Sequence, residues 1–467
     1  MNRITSILSV FLLAHTAVTT AGAGVRTEAQ PPPSLPQPDL QNADVRKQLL
    51  EKLQTVRNEA KASLDQATRD GAFEDLAVAA ALAGNGDGAR VICTGITDAE
   101  KRARALVAAA ISQFKAGKTD AARETLDTAE HVAGRTNFIV ADDVLIEVAA
   151  ARAASGDAAG ARKTIEDSTV RFRALSEIGK ALMRRGDLAG ARSCFDDALT
   201  AAGEAKSDWR SAEIKLTVEA WCEAGDVEGA RQAVPRIEAG KSRDRANAVI
   251  AGALADKGDT AGIEVIRAQV TDSLAAEEVL AALARAEAKS GKFDRALASA
   301  GGVRQNRTWA STITEIAREM AKRDKKNEAL AALRSIRQRI EKGSLDHDEQ
   351  VLTLSEMAGV LSACGDAPGA RASIAEAKGV AAKASSSVGK SNMLTCIALA
   401  EAGIAEYQSA RATVLSIPET YHRLRALRPV ATAEAKASGI SAVLKWIDGL
   451  PSASERASAL HGLALAL

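Results

Sequence analysis

Apolar side chains recur along this chain with the period of an α-helix, in short segments that each end near a glycine. In one clear segment Leu175, Ile178 and Leu182 lie at i, i+3 and i+7, and the small Gly179 shares their face. This spacing predicts a helix with one buried face. Gly186 should end that helix, because glycine readily adopts the left-handed conformation that closes many helices.

A second helix is predicted directly after each such glycine. Asp187 is placed to cap it by accepting hydrogen bonds from its first N–H groups. An apolar stripe of its own follows at Ala191, Phe195 and Ala198. The unit is therefore a helical hairpin with a tight turn. Pro235 should kink or end one second helix early, because proline removes a helical hydrogen bond.

A short sequence motif joins the two helices and recurs along most of the chain; we call it the repeated phrase. Close copies of Gly-Asp-x-x-Gly-Ala-Arg span residues 156–162, 186–192, 225–231 and 365–371, and looser copies start at 84, 117, 258, 291, 324, 405 and 439. A recurring period of this size is typical of a solenoid, in which each repeat buries its apolar face only against its neighbours. We therefore predict an all-α solenoid of about eleven antiparallel helical hairpins.

The repeat resembles the tetratricopeptide repeat over about residues 70–450. The resemblance is carried by a small residue in the first helix, a glycine at the turn, and an Ala–large–Ala pattern in the second helix: Gly179, Gly186, Ala191, Phe195 and Ala198. Leu175 and Leu182 stand where the family has Trp and Tyr, and some repeats have the length of HEAT-like repeats. The resemblance implies a right-handed superhelix whose concave groove, lined by first helices, binds peptides or proteins.

Five segments are predicted along the chain. They are a signal peptide (1–23), a proline-rich linker (24–42), an N-terminal capping helix (43–70), the repeats (71–451) and a C-terminal capping helix (452–467). A secretion signal has a positive start, an apolar run and a cleavage site after small residues. Here these are Arg3, residues 4–18 and residues 21–23. We expect an exported protein, periplasmic or secreted, with an uncleaved anchor as the alternative. The apolar C-terminal helix either packs on the last hairpin or offers a surface for self-association.

The composition argues against two classes of function, nucleic-acid binding and cysteine chemistry. Acidic and basic residues nearly balance, with a net charge of +1, whereas nucleic-acid binders usually carry a basic excess. The five cysteines form no C-x-x-C pair and are best interpreted as small buried hydrophobes.

Two short motifs are candidates for chemistry, and a structural interpretation is favoured for both. Residues 389–391, Gly-Lys-Ser, resemble the end of a P-loop but lack its first glycine and its strand, so we expect a loop between repeats. Residues 346–349, Asp-His-Asp-Glu, suit a helix start better than a metal site. We predict no catalytic residue, cofactor or metal, and no enzyme.

A repeated arginine occupies one slot of the phrase. Its copies are Arg90, Arg123, Arg162, Arg192, Arg231, Arg371 and Arg411. Stacked repeats would place them in a row that could bind anions. We favour the structural alternative, in which each pairs with a capping Asp or with a Glu of an adjacent helix.

The first helices also carry cations that would face the groove. These are Arg173, Lys180, Arg184, Arg285, Lys289, Arg318 and Lys322. They predict a mildly basic concave stretch that prefers an acidic or C-terminal-carboxylate peptide, with an ordinary solvated face as the alternative.

Together these patterns favour an exported, non-enzymatic scaffold that binds a protein or peptide partner. A structural envelope or spacer protein is the main alternative. RNA binding of the pentatricopeptide type is disfavoured by the export signal and the neutral charge.

Overall fold

The computed structural model describes residues 43–63, 65–136, 138–204 and 207–467, and the predicted signal peptide and linker lie outside these ranges. The described residues form 24 α-helices and no strand. In chain order the helices are α1 (Ala43–Ser63), α2 (Gln66–Leu82), α3 (Gly86–Cys93), α4 (Ala99–Lys115), α5 (Thr119–Ala133), α6 (Phe138–Ser155), α7 (Ala158–Thr164), α8 (Arg171–Arg184), α9 (Leu188–Gly203), α10 (Ser207–Glu223), α11 (Val227–Ala233), α12 (Lys241–Asp256), α13 (Thr260–Arg267), α14 (Ser273–Lys289), α15 (Phe293–Ala300), α16 (Asn306–Lys322), α17 (Lys326–Glu341), α18 (His347–Ala363), α19 (Ala367–Ala381), α20 (Ser387–Gly403), α21 (Tyr407–Leu415), α22 (Thr420–Ser438), α23 (Ile440–Asp448) and α24 (Ala453–Ala464).

These helices pair as the repeat predicts. Eleven hairpins run from α2–α3 to α22–α23, so the predicted all-α solenoid of helical hairpins is confirmed. Pro235 lies in a short 3-10 turn, Val234–Arg236, and α11 ends just before it at Ala233. The early end of this second helix is therefore also confirmed.

The repeated phrase builds one local structure in every close copy. Gly186 has a φ of +85° and ends α8. The Asp187 carboxylate then accepts a hydrogen bond of 2.9 Å from the N–H of Gly190, at the start of α9. A Cβ at Gly190 would overlap that carboxylate, which explains the second glycine of the phrase. Asp157, Asp226, Asp259 and Asp366 cap their helices in the same way.

Two looser copies keep the turn without its glycine. Asp324 has a φ of +60° and Ala405 a φ of +63°. A side chain in this left-handed region costs about 1–2 kcal/mol relative to an ordinary helical conformation. Both turns are therefore held by the packing around them.

A second contact ties one repeat to the next. The Asp70 carboxylate, in α2, accepts hydrogen bonds from the N–H of Thr97 at 3.0 Å and of Asp98 at 2.8 Å, just before α4. Asp244 makes the same contacts to Thr271 and the residue after it. Burial opposes ionisation, but these bonds outweigh it and lower the pKa of both carboxyls. An acidic side chain in one first helix thus fixes where the next first helix begins.

The hairpins form two layers. Each first helix, from α2 to α24 in steps of two, packs against the first helices before and after it. A second helix contacts the first helix of its own hairpin and the first helix that follows, with far less contact between second helices. The first helices therefore form the inner, concave layer, since curvature brings neighbours together on the inside.

The chain of first helices closes on itself. Helix α24 packs against α22 on one side and against α2 on the other, and α1 packs against both α24 and α2. The two ends of the described chain therefore make a twelfth hairpin, with α24 as its first helix and α1 as its second. Closure of twelve hairpins requires a mean turn of about 30° per hairpin, the kind of small rotation that sets the curvature of repeat proteins.

Polar contacts hold this closure where α24 meets α2 and α22. Buried Asp75, in α2, accepts a hydrogen bond from His461 Nδ1 at 2.8 Å and forms an ion pair with Arg428 at 2.7 Å. A Cβ at Gly462 would overlap the backbone of Arg428, so a glycine is needed where α22 and α24 approach most closely. The Thr432 hydroxyl donates to the Gly462 carbonyl at 2.6 Å.

The outer part of the closure is held by ion pairs of α1. Arg456 pairs with Glu59 at 2.9 Å, and Lys52 pairs with Asp448. Every residue of α24 except Arg456 is buried. The terminal helices predicted as caps thus cover each other, and the predicted N-terminal cap ends at Ser63, before α2 begins the first hairpin.

We predict that Ala405→Gly stabilises the protein, because glycine adopts a positive φ without steric cost. The expected gain is about 0.5–1 kcal/mol, seen as a higher thermal midpoint. Gly186→Ala is the matched control, since nothing lies within 4 Å of its added Cβ and only the backbone conformation is affected. It should lower the midpoint. An unchanged or lower midpoint for Ala405→Gly would contradict the claim that the positive φ of Ala405 costs stability.

We also predict that acid weakens the closure through His461. Burial lowers the pKa of His461 below its ordinary 6.5, against the pull of Asp75, so the folded protein holds the imidazole neutral. The unfolded chain takes up a proton first as the pH falls below about 6.5, and the stabilisation from neutral His461 is lost through that range.

The measurement is the difference in stability between the wild type and His461→Gln from pH 7 to pH 5. Glu74, whose pKa is raised to about 7 by burial and by Asp75, titrates in both proteins. The difference therefore isolates the histidine, and the wild type should lose more stability on acidification. Parallel curves would show that His461 is not held neutral.

Candidate functional site

A concavity of the inner layer lies across four consecutive first helices, α10, α12, α14 and α16. It has a volume of about 600 Å³, and small residues, Ala248, Gly252, Ala253 and Ala281, contribute to its lining. Small side chains on α12 and α14 leave the space open between the flanking helices. We call this feature the inner cleft.

Charged side chains from all four helices line the inner cleft. They are the cations Lys215, Arg285 and Arg307 and the carboxylates Glu219, Glu223, Asp256, Glu278 and Glu315. Several are paired: Lys215 lies 3.5 Å from Glu219, and Arg307 lies 2.6 Å from Glu356 of α18. The inner cleft is therefore polar and of mixed charge, with carboxylates in excess.

Arg285 lines the inner cleft from α14. Its guanidinium reaches over α12, where a Cβ at Gly252 would lie 3.7 Å from a terminal nitrogen of the side chain. Its Nε is buried and has no hydrogen-bond partner among the described residues. Arg285 forms no ion pair among the described residues, and five carboxylates line the cleft with it.

Carboxylates crowd one another on the inner layer. Burial raises the pKa of Glu219 above its ordinary value; Lys215 opposes the rise, and Glu223 and Glu278 add to it. On α6, burial likewise raises the pKa of Glu147 to about 7, against the attraction of Arg104. The inner layer thus holds carboxyl groups in an environment that disfavours their charge.

Most of the predicted groove cations are already paired. Lys180 is buried and lies 2.8 Å from Glu177 and 3.1 Å from Glu223. Arg173 pairs with Asp143, Lys289 with Asp256 and Lys322 with Glu319, at 3.1, 3.0 and 2.6 Å.

Of the seven cations, Arg285 alone lines the inner cleft. Arg184 is exposed at the end of α8, and Arg318 is half-buried on α16. The structure does not gather the seven predicted cations into one site.

The carboxylates of the inner cleft were missed although the sequence contains their signal. Lys180, Arg285 and Arg318 each lie six residues before the turn residue of their repeat. Glu219 lies six residues before Gly225, in the same register. This position lines the inner cleft at Glu219 and Arg285 but not at Lys180 or Arg318, and it holds an anion or a cation.

Five of the seven repeated arginines form ion pairs from one repeat to the next, which supports the structural alternative for those five. Arg90 pairs with Glu124, Arg162 with Asp197, Arg192 with Asp226 and Arg371 with Glu406, at 2.7, 2.7, 2.6 and 3.0 Å. Arg411 pairs with Glu434 of α22. Arg123 differs, because it pairs within its own helix with Asp120. Arg231 is exposed.

The two short motifs have structural roles. Residues 389–391 lie in the first turn of α20, where Ser386 caps the helix by accepting from the N–H of Gly389, so the expected loop is a helix start. Asp346 and Glu349 form a reciprocal capping box at the start of α18, as the helix-start interpretation predicts. In the described ranges, no group of three metal-ligating side chains comes together.

The cysteines are mostly packing residues. Cys93, Cys194 and Cys364 are buried as predicted, whereas Cys222 and Cys396 are half-buried, and none forms a disulfide. Burial raises the pKa of Cys93 and of Cys222 to about 12. Within the part of the chain that the structure describes, no helix is both long and apolar enough to span a membrane.

Comparisons with known proteins add only distant likenesses. The sequence matches no protein-family model and, at a significant level, no curated protein. Among solved structures, Ton1535 from Thermococcus onnurineus NA1 is 14% identical, covering 74% of this chain and 94% of its own, with a TM-score of 0.27. A circular tandem repeat protein with novel repeat topology and enhanced subunit contact surfaces is 12% identical, covering 90% of this chain and 95% of its own, with a TM-score of 0.14. At these scores neither likeness carries an argument.

Proposed function

We propose that this protein is an exported, tetratricopeptide-like scaffold that binds a protein or peptide partner on its inner layer and performs no catalysis. The observation that carries the proposal is the inner cleft. It crosses four first helices, its small lining residues leave room for a main chain, and its charged side chains offer polar recognition. Export rests on the N-terminal sequence alone.

Two features support a polypeptide ligand over the alternatives. An extended chain can follow a groove that crosses several helices, contacting each repeat in turn. The excess of carboxylates disfavours RNA, whose phosphates require cations. We do not propose self-association through α24, because α1, α2 and α22 cover that helix.

The proposal predicts that partners are captured from the inner layer. A photo-crosslinking amino acid replaces Ser311, which lines the inner cleft, or Val265, which is exposed on the second helix α13. In cells of the native organism, the Ser311 position should give discrete crosslinked species that the Val265 position does not. Crosslinks from Val265 alone, or from neither position, would favour a structural spacer.

A further inference from the structure

We propose that the inner cleft selects a positively charged peptide segment, the opposite sign from the one that the groove cations suggest. This inference rests on the proposed function and names the chemistry of its partner. The lining residues carry five carboxylates against three cations. A segment with lysine or arginine side chains is therefore the complementary occupant.

The ion pairs show which of these charges remain available to a ligand. Glu219 pairs with Lys215, Glu223 with Lys180 and Asp256 with Lys289. Among the described residues, Glu278 and Glu315 are the two cleft carboxylates that form no ion pair, and Arg285 is the one such cation. Two unpaired carboxylates and one unpaired cation give the inner cleft an excess of negative charge.

The environment of Glu219 supports that sign. Its pKa is raised by burial and further by Glu223 and Glu278, despite the neighbouring Lys215. A ligand cation in the inner cleft would relieve this repulsion among carboxylates, whereas a ligand carboxylate would add to it.

The positions of the unpaired cleft carboxylates indicate the length of the bound peptide. Glu278 lies on α14 and Glu315 on α16, at the side of the cleft away from α10. Neighbouring helices pack about 8–10 Å apart, so four of them span roughly 27 Å. An extended chain covers that length in about eight residues. A peptide of that length can place a basic side chain at both glutamates while its main chain lies over the small lining residues.

The test uses two fluorescein-labelled ten-residue peptides, one alternating alanine and lysine and the other alternating alanine and glutamate. Fluorescence anisotropy is measured at about 150 mM salt, where long-range attraction is screened. The lysine peptide should bind the full chain and the glutamate peptide should not. Hydrogen–deuterium exchange should show protection confined to α10, α12, α14 and α16.

Three variants make the assignment specific. Glu278→Gln with Glu315→Gln should weaken binding of the lysine peptide by about tenfold, and Arg285→Gln should strengthen it by about threefold. The matched control, Glu166→Gln with Asp167→Asn, removes two exposed carboxylates outside the inner cleft and should leave the affinity unchanged. Thermal unfolding checks that each variant is folded.

The outcomes separate this inference from the proposed function. The inference is overturned if the glutamate peptide binds and Arg285→Gln weakens it, or if the control weakens lysine-peptide binding as much as the cleft variant does. It is also overturned if neither peptide binds. In each case the proposed function stands as long as the crosslinker at Ser311 still captures a partner, and it fails if that crosslinker captures none.

Discussion

The closure of the chain by its own ends is the constraint on which the rest of the structure depends. An open solenoid exposes an apolar face at each end and needs polar caps to stay soluble. Here α24 and α1 bury those faces against each other, so the apolar Leu460 and Leu463 are fully buried. Once the ends meet, the rotations between neighbouring hairpins must together complete one full turn.

The repeated phrase supplies a recurring local geometry at the turn of each hairpin. Its first glycine takes the left-handed turn, its aspartate caps the second helix, and its second glycine makes room for the capping carboxylate. The arginine then forms an ion pair with the following repeat, as Arg192 does with Asp226. The phrase therefore carries the architecture, and the positions between its copies are free to form the inner cleft.

The hairpins could be predicted because their turns and caps depend on residues close together in the sequence. The closure could not be predicted because its contacts join residues far apart in the sequence. Gly186 and Asp187 act within a few residues of each other, so their turn and cap follow from the sequence. His461 and Asp75 are 386 residues apart, and neither has a local pattern that marks the other as its partner. The inner cleft was partly predictable, because Glu219 and Arg285 share one position of the repeat. The ion pairs that neutralise Lys180 depend on helix packing and were not predictable.

Zero-length carbodiimide crosslinking tests the closure most directly. Lys52 and Asp448 form an ion pair between α1 and α23, 396 residues apart in the chain. The reagent should join their side chains by an amide bond within one molecule. Mass spectrometry of a mixture of isotope-labelled and unlabelled protein distinguishes this from a bond between molecules. The closed structure predicts the Lys52–Asp448 crosslink with unmixed labels; its absence, or a crosslink with mixed labels, would contradict the closure.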